Sequence, residues 1–327
     1  MKELVFIIGS NSFSGSSFVD FLLSKGHKII GISRQKEKRA LAKYSMNNNK
    51  KNFIFKQIDI NKDHKKVIKL INHYKPKLIV NFAALGMVNE SWDNPDHWFE
   101  TNVVSFSKII KEISKYKFIK KFVNFSTPEV YGDTIKKIKE NDNFNPTTPY
   151  AISRAATDTY LKKIHEIKGF PVLITRTANV YGPHQDLYRV IPKTIINLMI
   201  KKRIELDGKG ETIRSFIHIN DVNKALYKLL YRGKIGETYH ISTDEFITIK
   251  KLCILIAQIL KFKKFKIFYR KERLGKDKRY KLGIKKIKKL NWKYQISLKD
   301  GLKNTIQWYL KNFKILNKKN INYIHKK

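Results

Sequence analysis

Short apolar runs set apart by helix-length stretches constrain this chain more than any other feature. Residues 4–8 (LVFII), 28–32 (KIIGI), 53–58, 78–84 (LIVNFAA), 121–126 (KFVNFS) and 172–176 are such runs. Between them lie amphipathic stretches: Phe18 to Leu23, a segment with Val67, Ile68 and Ile71 that ends before Pro76, and longer helical patterns over about 96–115 and 149–168. Runs without polar alternation are strands buried on both faces, and a helix between successive strands makes them pair in parallel. The pattern predicts an α/β fold built on a doubly wound parallel sheet of Rossmann type. After residue 182 it loosens. A helix over 191–200, a turn at Gly208 and Gly210, a helix over 221–232 and two further helical patterns from about 246 onward point to a smaller, interleaved α/β unit.

A core for such a fold is available, since hydrophobic residues make up 42% of the 327 and aromatic residues 12%. The formal charge of +41, from 68 Lys and Arg against 27 Asp and Glu, invites a polyanion as partner. The lysines are spread through most segments, however, and no helix-turn-helix, zinc or RNA-binding signature accompanies them, so no nucleic acid is expected. A basic cleft suits a diphosphate-bearing ligand instead. No apolar run approaches the about 18 residues that a membrane span needs, and the first residues lack a secretory pattern. A cytoplasmic protein without a membrane partner is expected. Cys253, the single cysteine, sits in an apolar helical pattern and reads as a core thiol, and no metal site is expected.

Gly9-Ser10-Asn11-Ser12-Phe13-Ser14-Gly15 lies where the first strand turns into a helix, the place where backbone N–H groups and the helix dipole hold a pyrophosphate. Ser12 stands where a loop glycine is expected, which predicts a cost in backbone freedom beside the phosphates. At the end of the second strand, Ser33-Arg34 occupies the region where an acidic residue would bond the adenosine ribose of NAD. A guanidinium there can pair with a 2′-phosphate, which favours NADP, with NAD as the alternative and a solvent-facing arginine as the plain reading. Further on, Ser126-Thr127-Pro128-Glu129-Val130-Tyr131-Gly132 ends a strand, and Tyr150-Ala151-Ile152-Ser153-Arg154 opens a helix. Tyr150 and Arg154 share one helix face, where the cation is expected to lower the phenol pKa and make it a base for hydride chemistry.

Asp59-Ile60, Asn81-Phe82-Ala83-Ala84, Glu100-Thr101-Asn102, Thr175 to Pro183, Ile213 to His218 and Arg273 to Tyr280 follow in order. Together these segments resemble the extended short-chain dehydrogenase/reductases of the NAD(P)-dependent epimerase/dehydratase family over residues 4–310. Within it they are similar to the nucleotide-sugar 4,6-dehydratases of the dTDP-glucose and GDP-mannose types. The expected division is an NAD(P)-binding Rossmann domain at 1–182 with 214–240 returning to it, a nucleotide-sugar domain at 183–213 and 241–315, and a frayed lysine-rich tail at 316–327. The resemblance implies that Gly9, Asn11, Ser12, Phe13, Ser14, Gly15, Ser33, Arg34, Asp59, Ile60, Ala83 and Ala84 hold the cofactor, Asp59 at its adenine. Thr127 and Tyr150 would face the sugar C4 hydroxyl, and Arg154 would stand where a lysine touches the nicotinamide ribose. Glu129 would be the acid and base at C5 and C6. Ser126 would line the substrate, and Asn179, Arg214 and Arg273 would hold its diphosphate or base.

Three departures bear on that carry-over. Arg154 replaces a lysine, Ser12 replaces a glycine, and Pro128 stands where the dTDP-glucose type has an aspartic acid and the GDP-mannose type a serine. The implied reaction has Tyr150 taking the C4 hydroxyl proton as hydride leaves C4, then Glu129 taking the C5 proton. Water leaves from C6 and the hydride returns there, with the same carboxyl group or a water covering the acid role that Pro128 lacks. A sugar 4-epimerase, a UDP-glucuronate decarboxylase and a non-catalytic nucleotide-binding protein stay open as alternatives. The family pattern also implies a homodimer formed through the helices at about 96–115 and 149–168.

Overall fold

The computed structural model describes residues 3–37, 43–275 and 277–325. Its seven-stranded sheet contains β1 (Leu4–Ile8), β2 (Lys28–Ser33), β3 (Phe53–Gln57), β4 (Leu78–Asn81), β5 (Lys121–Ser126), β6 (Val172–Thr177) and β7 (Thr238–Ile241). All pairings are parallel, and the order across the sheet is β7-β6-β5-β4-β1-β2-β3. In β1, Val5 and Ile7 enter the core on one face while Phe6 and Ile8 enter the core on the other. That two-sided burial is why the strands read as unbroken apolar runs.

The helices begin at polar caps that the sequence places just before them. Ser12 caps Phe13–Ser24 by accepting the Gly15 N–H at 3.0 Å, and Asp59 caps Ile60–Tyr74 by accepting the Asn61 N–H at 3.0 Å. Thr148 caps Pro149–Lys168, accepting the Ala151 N–H at 3.2 Å with Pro149 in the first turn, and Gly169 closes that helix in the left-handed region. The helix predicted over 96–115 is divided into Pro95–Phe99, a π-helical segment Glu100–Ser105, and Phe106–Ile113. The wider turn carries Asn102, whose side chain accepts the Leu85 N–H at 2.9 Å and donates to the Leu85 carbonyl at 3.2 Å and to Ser153 Oγ at 2.9 Å.

Beyond the sheet, Lys266–Arg270 pairs in parallel with Arg203–Asp207. The helices Val190–Lys201, Ile249–Ile259 and Leu298–Lys311 close around a separate core that includes Ile195, Ile204, Leu252, Cys253, Leu302 and Leu316. Burial pushes the Cys253 thiol up to about 11, as suits a packed core thiol. Tyr280, Leu282, Ile284 and Trp292 pack into a core under the sheet, so the chain passes back beneath it before Leu298. Among the described residues, no helix is long and apolar enough to cross a membrane. A cavity of about 1010 Å³ opens between the carboxyl ends of the strands and the separate core's elements.

Candidate active site

In the loop expected to hold the dinucleotide, two glycines close the turn after β1. Gly9 has φ +85° and a Cβ there would lie 2.6 Å from the Ala83 nitrogen; a Cβ on Gly15 would lie 2.3 Å from the Gly9 carbonyl oxygen. Ser12 corrects the expectation placed on it. Its φ of −65° and ψ of 159° are open to any residue, and its hydroxyl donates to the Gly9 carbonyl at 2.8 Å while capping Gly15. No glycine freedom is needed there, so the predicted cost does not arise. Ser12, Phe13 and Ser14 face the cavity at a helix N-terminus, an arrangement that fits a diphosphate.

Asn11 and Ser33 fix the segment that carries Arg34. The Asn11 N–H donates to Ser33 Oγ at 2.9 Å, and the Asn11 side-chain amide donates to the Gln35 and Lys36 carbonyls, each at 2.9 Å. Arg34 lies within electrostatic reach of Tyr323 and His325. Ile60 is the first residue of the helix that Asp59 caps, the Ala83 N–H donates to Asn81 Oδ1 at 3.1 Å, and Ala84 lines the cavity.

The groups expected to react gather at the end of β5 and the start of the Pro149–Lys168 helix. Thr127 Oγ1 accepts the Glu129 N–H at 3.3 Å and shares a hydrogen bond with Tyr150. Pro128 opens the short turn Pro128–Tyr131, which presents Glu129 to the cavity. Ser126 Oγ donates to Asp158 Oδ2 at 2.9 Å, and Arg176 Nε donates to the same oxygen at 3.0 Å. Arg154, 2% exposed, donates from Nη2 to the Phe125 carbonyl at 2.6 Å.

Burial holds the Glu129 carboxyl above the usual range; Arg214 pulls it down, Asp277 pushes it up, and Arg273 and Arg189 pull it down. For Tyr150 the expected direction is reversed. Burial and then the Glu129 charge raise the phenol, and Arg154 and the bond with Thr127 offset only part of the rise. The cation is near, but its guanidinium is engaged with Phe125 and the phenol has lost hydration.

Of the residues expected at the substrate, Asn179 Oδ1 accepts a bond from the Tyr280 hydroxyl at 2.7 Å. Arg214 donates to the Ile213 carbonyl at 2.9 Å and the Asp277 carbonyl at 2.8 Å, and its guanidinium lies 4.3 Å from the Tyr280 ring centre. Arg273 pairs with Asp207 at 3.0 Å. Lys276 of the same stretch lies outside the described residues.

Ser12, Phe13, Ser14, Ala84, Ser126, Thr127, Glu129, Tyr150, Arg154, Asn179, Arg214 and Arg273 thus line one cavity. Gly9, Asn11, Gly15, Ser33, Arg34, Asp59, Ile60 and Ala83 are not among its walls. Among the wall residues that sequence reasoning missed are Arg189, Asp277, Tyr280 and Tyr323. Asp277 and Tyr280 stand inside the Arg273 to Tyr280 stretch and could have been found there; Arg189 and Tyr323 carry no local signal.

The family model for GDP-mannose 4,6 dehydratase matches residues 6–305. A dTDP-D-glucose 4,6-dehydratase of Homo sapiens is 32% identical over 319 residues, which is 94% of this chain and 90% of that protein. The solved structure of a dTDP-glucose 4,6-dehydratase from Streptomyces venezuelae, with NAD bound, aligns with a TM-score of 0.89 at 28% identity and covers 95% of this chain and 98% of that one. A UDP-glucose 4-epimerase from Thermotoga maritima aligns with a TM-score of 0.86 at 26% identity, covering 95% of this chain and 99% of that one. Backbone likeness is nearly equal for the two activities, so side chains must separate them.

Proposed function

The chain belongs to the GDP-mannose 4,6-dehydratase family, and from that membership we propose that it is a nucleotide-sugar 4,6-dehydratase, a hydro-lyase that turns a nucleotide-diphosphate hexose into its 4-keto-6-deoxy form. The observation that carries this reading is Glu129, a carboxyl group in the same cavity as Tyr150 and Thr127. A simple 4-epimerase needs a base at C4 but none at C5.

Tyr150 takes the C4 hydroxyl proton, with Thr127 bonded to the phenol and the Arg154 charge favouring the phenolate. When bound, the nicotinamide supplies the hydride acceptor at C4, the hydride source at C6 and a positive charge beside the phenol. The C4 ketone makes the C5 hydrogen acidic, and Glu129 removes it; poor hydration makes this carboxylate more basic than one in water. Pro128 has no proton to give. Glu129 therefore hands the proton it has taken to the C6 oxygen, which leaves as water, and a solvent proton enters C5. Asn179, Arg214 and Arg273 hold the nucleotide diphosphate.

The cofactor is a pyridine dinucleotide, and Arg34 supports NADP over NAD. We further take the enzyme to be a cytoplasmic homodimer. Purified protein should be incubated with dTDP-glucose, GDP-mannose, UDP-glucose and UDP-glucuronate, with NADP or NAD, and the products read by mass spectrometry and NMR. The expected outcome is a 4-keto-6-deoxy product lighter by one water, with NADP bound more tightly than NAD. Carbon dioxide release would assign a decarboxylase, an epimer an epimerase, and dinucleotide binding without any product a non-catalytic binder. Equal or tighter binding of NAD would overturn the reading of Arg34.

A further inference from the structure

The family match ends at residue 305, inside the Leu298–Lys311 helix. Where the sequence predicts a frayed end, the described chain beyond it keeps some contacts: Leu316 is buried and Ile321, Tyr323 and His325 are half-buried, while 317–320 are exposed. Phe313–Leu316 forms a helical turn that buries Leu316 in the core around Ile195 and Leu252. The residues that follow run between two anchor points, one at the cavity wall and one at the Pro95–Phe99 helix outside it. On one side, Lys193 Nζ donates to Asn322 Oδ1 at 3.1 Å, and the Tyr323 ring packs edge-on against Tyr188 with centres 5.1 Å apart. On the other, His325 Nε2 and His97 Nδ1 share a hydrogen bond at 2.7 Å, and the His325 ring lies 4.9 Å from Trp98. Arg34, at the end of β2, acts electrostatically on both Tyr323 and His325. Asn322 and Tyr323 are walls of the cavity that also contains Ser12, Phe13 and Ser14.

We propose that Asn322 and Tyr323 are binding residues for the pyridine dinucleotide, and that residues 320–325 form a strap that retains it. The strap is tied at Tyr188 and Lys193 on one side and at His97 and Trp98 on the other. The inference rests on the dehydratase reading in one respect. Hydride taken from C4 returns to C6, so the dinucleotide is regenerated in place and need not leave between turnovers. A slow exit is therefore compatible with catalysis, whereas the sugar must enter and leave every cycle. A dehydrogenase that exchanged its cofactor each turnover would be held back by the same strap.

The test compares wild type with Tyr323→Ala and with a chain ending at Asn317, loading each with NADPH or NADH and following fluorescence after a chase with the oxidised form. Removing the strap should act on the dissociation rate and leave association little changed. The shortened chain should release dinucleotide at least about tenfold faster than wild type, with Tyr323→Ala intermediate. Release at the wild-type rate from both variants overturns the proposal, as does unchanged release together with a raised KM for the nucleotide sugar, which would place the segment on the sugar's route. If the shortened chain fails to fold, Tyr323→Ala decides alone. Binding is read without any sugar present. Wild type that binds dinucleotide but makes no 4-keto product would therefore sink the dehydratase reading and leave the strap measurable, while normal turnover with unaltered release sinks only the strap.

Discussion

In the proposed reaction, Glu129 and Tyr150 are the two groups whose ionisation must be managed, and Glu129 works against Tyr150. Burial is the larger cause of the raised phenol, and the Glu129 charge is the second. Glu129→Gln removes that charge, so the sign of its effect on the first step follows: the phenol becomes easier to ionise, and the pH dependence of C4 oxidation should move to lower pH. The second step should fail, because no carboxylate is left at C5. With substrate, the variant should accumulate reduced dinucleotide, incorporate no solvent deuterium at C5, and form product at least about 100-fold more slowly. Deuterium entering C5 at the wild-type rate would remove Glu129 as the base. Much of this was readable from residue order alone, since Thr127, Glu129, Tyr150 and Arg154 stand in recognisable positions around a strand end and a helix start. The direction of the Tyr150 shift was not. It depends on burial and on the charge of Glu129 from a separate segment, which are tertiary facts. Ser12 was misjudged for a similar reason, because identity alone does not say whether a loop position needs positive φ.

At the scale of elements, the turn that carries Glu129 is held from behind by a buried polar knot. Asp158 from the Pro149–Lys168 helix pairs with Arg176 from β6 at 3.0 Å, both wholly buried, and also accepts a bond from Ser126 of β5. Arg176 reaches on to the Tyr131 hydroxyl, and that hydroxyl shares a bond with His240 of β7 at 2.8 Å. Burial, with Arg176 adding to it, lowers the His240 ring to about 3, so it stays neutral and can meet a second donor. Replacing Arg176 leaves Asp158 buried without its ion-pair partner, a loss that costs about 3–5 kcal/mol. Arg176→Met should lower unfolding free energy in urea by that amount, and adding Asp158→Asn should recover part of it. A loss under about 1 kcal/mol would mean water or another cation takes over the charge. The strands and helices that build this knot were legible from apolar runs and the amphipathic stretches between them. The π-helical segment was not, because Asn102 is drawn to Leu85 and Ser153, partners no local period reveals.

For the molecule as a whole, charge and apolar surface set opposite demands on association. The proposed dimer would join the helices at about 96–115 and 149–168, where Val104 is 39% and Ile152 43% exposed. Each chain carries a formal +41, so two chains repel at long range, and salt weakens that repulsion over a Debye length of about 10 Å at 0.1 M. An interface made by apolar helix faces should therefore tighten with added salt. Sedimentation of the purified protein should show the dimer fraction rising between about 0.02 M and 0.3 M sodium chloride. Ile152→Glu puts a carboxylate into the proposed contact. Although it lowers the net charge, desolvation of that group should dominate and give monomers at every salt concentration. A dimer that survives the substitution would move the interface away from these helices. A wild-type dimer that loosens as salt rises would show that ion pairs, rather than the apolar faces of the two helices, hold the chains together.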